Sequence, residues 1–251
     1  MNNFMTHEFN SVLSSDLSSQ SILLVGRGNA KKKRFYICIE ALDYISKEIP
    51  NCELNIISNL TGIERLHKLV TNLNLETNIK FNGYSFLPDI YFRNASLNIF
   101  PSISEAFPMV LSETKIYGIP NIIIGIDYIL NAKGGTIIIY DDLPESIAVE
   151  AIKIIENKDY RKKLGKEARK SMKKYNNEML LRDWIELILS IYKGEDYYIK
   201  LRKEKNKLSE KEGINILNNQ LKLLRMRYDI FQNITKSEFE NYTFMKKIQL
   251  Y

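Results

Sequence analysis

Two glutamates, Glu105 and Glu113, are separated by seven residues in a segment that follows an apolar run and reads PSISEAFPMVLSETKIYGIPNIII. Pro108 suits the first position of a helix, which predicts a loop carrying Glu105 and a helix carrying Glu113 about 7.5 Å along its axis. Two carboxylates at that separation could hold two hydroxylated groups of one extended ligand. The alternative is that both acids are ordinary residues of a solvated helix. We expect free N–H groups at this helix start, on Phe107, Met109 and Val110, which could bind a phosphate or a sugar hydroxyl.

A second candidate segment, VGRGNAKKKRF, comes directly after the first apolar run. A strand, a glycine-containing loop and a helix often form a phosphate site, because N–H groups of the loop and helix start point at the anion. Gly26 and Gly28 permit close backbone approach, and the charge comes from Arg27 and from residues 31–34. The third glycine of a dinucleotide-binding G-x-G-x-x-G fingerprint is absent. The Gly-Lys-Ser/Thr that ends a Walker A loop is absent as well. A solvated basic loop is the alternative.

A third segment, FNGYSF, follows another short apolar run. Gly83 predicts a tight turn at the end of that strand, and Tyr84 lies in it. Such a turn could contact a nucleotide base through its backbone, or could be a turn and nothing more.

These segments all follow β-rich runs that alternate with stretches of helical period. Strands that are apolar throughout and separated by helices predict a parallel sheet covered on both faces, a doubly wound, Rossmann-like domain. Its ligands should bind beyond the carboxyl ends of the strands. The predicted strands are 21–26, 53–58, 78–81, 96–100, 121–124 and 136–140, with amphipathic helices at 34–47 and 61–74.

After the last strand the pattern becomes purely helical. Pro144 begins a predicted helix, and residues 159–193 predict two more. We therefore divide the chain into a polar leader or linker stub at 1–20, a Rossmann-like domain with its closing helices at 21–193, and a charged helical extension at 194–251.

Charge is distributed unevenly along the 251 residues. The net charge is +6, but residues 158–251 hold 23 Lys+Arg against 13 Asp+Glu, a net of +10. This basic half could favour an anionic membrane surface, and solvated helix faces are the alternative. We predict no nucleic-acid partner.

The sequence does not favour a metal site, a catalytic triad, secretion or a membrane span. Cys38 and Cys52 fit no metal spacing and are expected to be buried thiols, and His7 and His67 suggest no catalytic triad. The sequence shows no signal peptide and no apolar run of membrane-spanning length. We therefore expect a cytoplasmic protein, which could contact a membrane surface peripherally.

The residues from about 21 to about 193 resemble the C-terminal, donor-binding domain of family 4 of the retaining glycosyltransferases, in order and with natural spacing. The resemblance rests on SEAFPMVLSE followed by GIPNII, on VGRGNAKKKRF, on KFNGYSFLPDIYFRNASLNIFPS and on PESIAVEAIKIIENKDYRKKLGKEARKSM. It implies a two-Rossmann-domain architecture, called GT-B, that transfers a sugar from a nucleotide-sugar donor with retention. It also implies that the donor is bound without a metal or cofactor.

The resemblance implies a role for each matching residue. Arg27 and Lys33, with Lys32 as the nearest substitute, would contact the donor diphosphate and stabilise it as it leaves. Glu105 would bind hydroxyls of the transferred sugar, Glu113 the ribose hydroxyls, and Tyr84 would lie against the base. The backbone from Phe107 to Val110, Pro108 included, would complete the donor site.

The sequence departs from the family pattern in three places. Ala106 and Arg34 stand where glycine is common, and only about twenty residues precede the first strand, where the family has an acceptor-binding domain. Three functions therefore remain open: a glycosyltransferase, which could work with a separate acceptor-domain subunit on a glycan, lipid or protein; a non-catalytic nucleotide-sugar-binding module; and an interaction protein whose basic helices dock on a membrane or partner.

Overall fold

The fold is an open sheet of six parallel strands with helices on both faces. The computed structural model describes residues 12–83, 89–103, 105, 108–125, 133–175 and 177–193. All six predicted strands form, and the strand order is β3-β2-β1-β4-β5-β6. The strands are β1 (Ser21–Val25), β2 (Glu53–Ile57), β3 (Ile79–Asn82), β4 (Leu97–Phe100), β5 (Asn121–Ile124) and β6 (Thr136–Ile139).

Seven α-helices lie among the described residues. The predicted helices are confirmed, and the short α3 was not predicted because five residues are too few to show a helical period. Their bounds are α1 (Phe35–Glu48), α2 (Glu64–Asn72), α3 (Asp89–Arg93), α4 (Met109–Ile116), α5 (Pro144–Glu156), α6 (Lys158–Met172) and α7 (Asn177–Tyr192). The predicted helical extension at 194–251 lies outside the described residues.

Five of the six strands contribute apolar side chains to cores on both faces of the sheet, which explains their apolar runs, whereas the edge strand β3 packs Ile79 and Phe81 on one face only. On β1, Ile22 and Leu24 join the core that α1, α2 and α5 cover, whereas Leu23 joins the core beneath α3 and α4. Cys38 and Cys52 are free and buried, as expected. Burial raises the pKa of both thiols, that of Cys52 to about 12. No described helix is long and apolar enough to cross a membrane.

The strand order places a topological switch point at the centre of the sheet. From β1 the chain runs outward to β2 and β3, and then returns to β4 on the other side of β1. The connections after β1 and β4 consequently leave the same edge in opposite directions and open a crevice between them. This crevice is where ligands of doubly wound sheets bind, and two of the three candidate segments border it.

Residues 12–20 form neither helix nor strand, yet they are packed against the domain. Val12 and Leu17 are buried, and Ser15 Oγ donates to the carbonyl of Ala95 at 2.6 Å. Two arginines of α6 hold this segment, since Arg161 Nε donates to the Leu17 carbonyl at 2.9 Å and Arg169 Nη2 to the Val12 carbonyl at 2.7 Å.

The contacts of Arg161 generate a stability prediction. Its guanidinium is buried and also donates to the carbonyls of Ile154 and Ile155 at the end of α5. Arg161→Met should lower the free energy of unfolding by about 2–4 kcal/mol, because buried carbonyls lose a charged donor. Urea unfolding followed by circular dichroism measures this loss. Lys162→Met, at the exposed neighbouring position, is the control, and equal stability of the two variants would contradict the assignment.

Candidate functional site

The loop after β1 is shaped by contacts within the protein. The N–H of Gly26 donates to the carbonyl of Ile57 at 3.0 Å, and the N–H of Gly28 donates to Ser58 Oγ at 2.7 Å. These two N–H groups are thus bonded within the protein, and the predicted part of Gly26 and Gly28 in donor binding stays a prediction. A short 3₁₀ turn, Lys31–Lys33, then separates the loop from α1, which begins at Phe35. Positive charge at this edge is therefore supplied by side chains.

The glycines of this loop are required for close packing. A Cβ on Gly28 would lie 2.9 Å from Ser58 Oγ and 3.1 Å from Ile63 Cγ2, both closer than ordinary contacts. Gly26 has a φ of +150°, which side chains rarely permit. Ser58 was missed by the sequence analysis, although its position directly after β2 placed it at the same sheet edge.

The loop after β4 carries Glu105 to the loop after β1. Lys33 and Glu105 form an ion pair whose side chains are only 18% and 17% exposed. Ser102 Oγ, which sequence reasoning missed, donates to the same carboxylate oxygen at 2.7 Å. Lys33 Nζ also lies 5.4 Å from the centroid of the Phe100 ring, within cation–π range.

The two loops are also joined through their backbones. The N–H of Ile103 donates to the carbonyl of Lys32 at 3.0 Å, one residue before Lys33. Segments that are 70 residues apart in the sequence thus form one surface at the switch point.

The other predicted residues that the structure describes lie on the loop after β1 and on or next to α4. Arg27 and Lys32 extend exposed side chains from the loop after β1. Glu113 is half-buried on α4, four residues after its start. Tyr84 and Phe107 lie outside the described residues. The structure therefore brings together Lys33 and Glu105, and it leaves the roles of the other residues as predictions.

The position of Pro108 differs by one residue from the prediction. It has φ −77° and ψ 87°, so it is the N-cap and α4 begins at Met109. Its carbonyl accepts the first helical hydrogen bond, from Ser112 N at 3.2 Å. Within the described part of the chain no side chain caps the start of α4, and ligand contacts by the N–H groups of Phe107, Met109 and Val110 stay a prediction.

A doubly wound sheet of parallel strands with helices on both faces defines a Rossmann-like α/β domain. The chain belongs to the family of glycosyl transferases group 1, whose model matches residues 7–171. Among curated proteins, it is 24% identical over 189 residues to a poly(glycerol-phosphate) alpha-glucosyltransferase of Bacillus subtilis, covering 73% of this chain and 27% of that protein. It is 23% identical over 197 residues to an uncharacterized glycosyltransferase of Methanocaldococcus jannaschii, covering 65% of this chain and 48% of the relative.

Solved structures share the fold. The chain aligns with Staphylococcus aureus TarM, solved with fondaparinux, alpha-GlcNAc-glycerol and UDP, at a TM-score of 0.62 and 21% identity over 74% of this chain and 37% of TarM. It aligns with sucrose-phosphate synthase from Thermosynechococcus elongatus at a TM-score of 0.66 and 18% identity, over 76% of this chain and 52% of the synthase. The chain thus spans between about a quarter and a half of the curated relatives it matches.

The packing of Gly28 can be tested by substitution. Gly28→Ala should lower the free energy of unfolding by about 1–3 kcal/mol, because the added methyl group overpacks against Ser58 and Ile63. Chemical denaturation measures the change. Gly83→Ala is the matched control, since of the residues that the structure describes a Cβ there would meet only Leu60 Cδ1, at 3.9 Å. A Gly28→Ala protein as stable as this control would show that the loop after β1 is not packed as described.

Proposed function

We propose that this domain binds a nucleoside diphosphate sugar in the crevice between β1 and β4, and that the protein transfers the sugar to an acceptor with retention. The Lys33–Glu105 pair carries the proposal, because it places a cation for a diphosphate beside an acceptor for sugar hydroxyls. Family membership supports glycosyl transfer as the reaction.

The charge of the loop after β1 suits a diphosphate. Lys33 is matched by Glu105, and Arg34 is matched by Asp142 at 2.7 Å. The other cations of the loop have exposed side chains and form no ion pair among the described residues. These cations are Arg27, Lys31 and Lys32. Three uncompensated positive charges at one sheet edge attract a ligand carrying two or three negative charges.

The Lys33–Glu105 pair implies how the donor would be accommodated. A diphosphate that approaches the loop would meet Lys33 between itself and Glu105, so the ammonium separates two anions that would otherwise repel. Glu105 would then accept hydrogen bonds from hydroxyls of the transferred sugar. As the bond between the sugar and the diphosphate breaks, Lys33 and Arg27 would stabilise the charge on the leaving group.

The other parts of the donor would lie along α4 and the turn after β3. We assign the ribose hydroxyls to Glu113, and the base to the turn at Tyr84. N–H groups at the uncapped start of α4 would contribute further donors to the phosphate or sugar. In this scheme the bond to the acceptor forms on the face that the diphosphate leaves, and a leaving phosphate oxygen takes the acceptor's proton.

Similar proteins suggest which ligands to test first. TarM, the pneumococcal O-GlcNAc transferase GtfA and the Anabaena protein HepE were each solved with UDP, two of them with GlcNAc or glucose as well. A polyol phosphate chain is a candidate acceptor because one relative is a poly(glycerol-phosphate) alpha-glucosyltransferase. In the GT-B architecture this domain would be the donor-binding half, and the acceptor half would belong to the same polypeptide or to a partner subunit.

Calorimetric titration of the full chain with UDP, UDP-glucose and UDP-GlcNAc, with GDP- and ADP-sugars for comparison, tests donor binding. Arg27→Ala should weaken UDP binding about tenfold, roughly 1.4 kcal/mol, because one charged contact to the diphosphate is lost. The side chain is exposed and has no described partner, so the fold should be unaffected. Lys162→Ala, an exposed cation on α6, is the control.

Two results would contradict the proposal. One is the absence of binding by any nucleotide or nucleotide-sugar at millimolar concentration, and the other is Arg27→Ala binding UDP as the unaltered chain does. Incubation of the chain with radiolabelled donor and glycerol phosphate oligomers then distinguishes a transferase from a non-catalytic binding module. Labelled product supports a transferase, whereas tight binding without release or transfer of sugar supports the non-catalytic module.

A further inference from the structure

Arg34 lies between the loop after β1 and the first turn of α1, next to Lys33 in the sequence. We infer that Arg34 is a positioning residue, whose guanidinium fixes the loop that carries Glu105 so that Glu105 meets Lys33 at the switch point. Its consequence for sugar binding rests on the function proposed above.

The guanidinium of Arg34 joins connections that follow three different strands. Nε donates to the carbonyl of Pro101, directly after β4, at 2.9 Å. Nη1 donates to Asp142 Oδ1, between β6 and α5, at 2.7 Å. The arginine side chain is only 9% exposed and its bond to Pro101 is buried, so this bond is shielded from water, whereas Asp142 is 33% exposed and its bond is partly buried.

The Pro101 contact is close to the residue that the site requires. Pro101 begins the loop that reaches Glu105 four residues later, and Ile103 between them bonds to the carbonyl of Lys32. The loop is therefore fixed at its first residue by a side chain and at its third by the backbone. Both fixing groups come from residues that flank Lys33, which sets the spacing between the ammonium and the carboxylate.

Arg34 occupies this position at a structural cost. Its φ of 46° and ψ of 41° are in the left-handed region, which glycine adopts freely and an arginine does not. Its Nη2 is buried and has no hydrogen-bond partner among the described residues. Strained backbone and an unpaired buried donor persist where the surrounding structure holds them, and such features cluster at functional sites. Glycine would relieve the backbone but would leave Pro101 and Asp142 without their common donor.

The test compares UDP with UDP-sugar binding in three proteins: the full chain, Arg34→Gly and Arg34→Lys. Arg34→Gly keeps a backbone suited to φ 46°, so folding should persist. We expect it to weaken binding of the UDP-sugar at least tenfold while the Kd for UDP changes less than threefold, because Glu105 contacts the sugar and not the nucleotide. Arg34→Lys keeps the charge but cannot reach both acceptors in the same geometry, and it should show the same selective loss. Lys47→Ala removes an exposed cation at the far end of α1 and is the control.

A double-mutant cycle shows whether Arg34 acts through Glu105. With Glu105→Gln already present, Arg34→Gly should change UDP-sugar affinity less than threefold, since the group that it positions has lost its function. Additive effects would overturn the inference, as would an Arg34→Gly protein that retains the full preference for UDP-sugar over UDP.

Hydrogen exchange tests the same positioning without any ligand, so it remains decisive if the proposed function is wrong. In Arg34→Gly the Ile103 amide should exchange at least tenfold faster, while amides in β5 and α5 keep their rates. Unchanged protection of Ile103 would overturn the inference even if UDP-sugars bind. A lack of nucleotide binding by the unaltered chain would overturn the proposed function alone.

Discussion

The meeting of two loops at the centre of the sheet is the constraint on which the candidate site depends. β1 and β4 are neighbours in space, so the loops that follow them leave the sheet side by side. The Lys33–Glu105 ion pair and the backbone bond between Ile103 and Lys32 then fix their separation. A cation and a carboxylate are thereby held together at one switch point, and the strand order of the sheet is what makes this possible.

The Lys33–Glu105 ion pair differs from an ion pair on a solvated surface in how much its loss would destabilise the protein. Exposed pairs contribute little, because water screens them and two mobile side chains must be ordered. Lys33 and Glu105 are mostly buried, Ser102 supports the carboxylate, and the Phe100 ring lies near the ammonium. Removal of either charge would leave the other buried and unpaired, which is costly. The ammonium and the carboxylate are therefore preorganised. Under the proposed function, a donor would bind to these two groups without a rearrangement of the loops.

The sequence was sufficient to predict the sheet, because fully apolar runs separated by amphipathic stretches have few other solutions. It also placed Lys33 and Glu105 on the same edge, since parallel strands present their carboxyl ends together. It did not predict that Gly26 and Gly28 would direct their N–H groups into the protein, because their acceptors, Ile57 and Ser58, lie on another strand and its exit. Hydrogen-bond partners distant in sequence follow from tertiary packing, which periodicity does not specify.

Arg34 shows most clearly what pattern reasoning leaves out. In sequence it is a basic residue at the end of a run of lysines, at a position where glycine is common in the family, and no pattern predicts that it is buried while the side chains of Lys31 and Lys32 are exposed. In the structure its backbone is left-handed, and this turns the side chain away from solvent toward Pro101 and Asp142. Residues of one basic run thus differ in exposure. Lys31 and Lys32 are exposed and accessible to an anion, whereas Arg34 is buried and bonds to two other connections of the sheet. The buried cation differs from its exposed neighbours in its left-handed backbone and in the acceptors, Pro101 and Asp142, that other connections of the sheet bring to it.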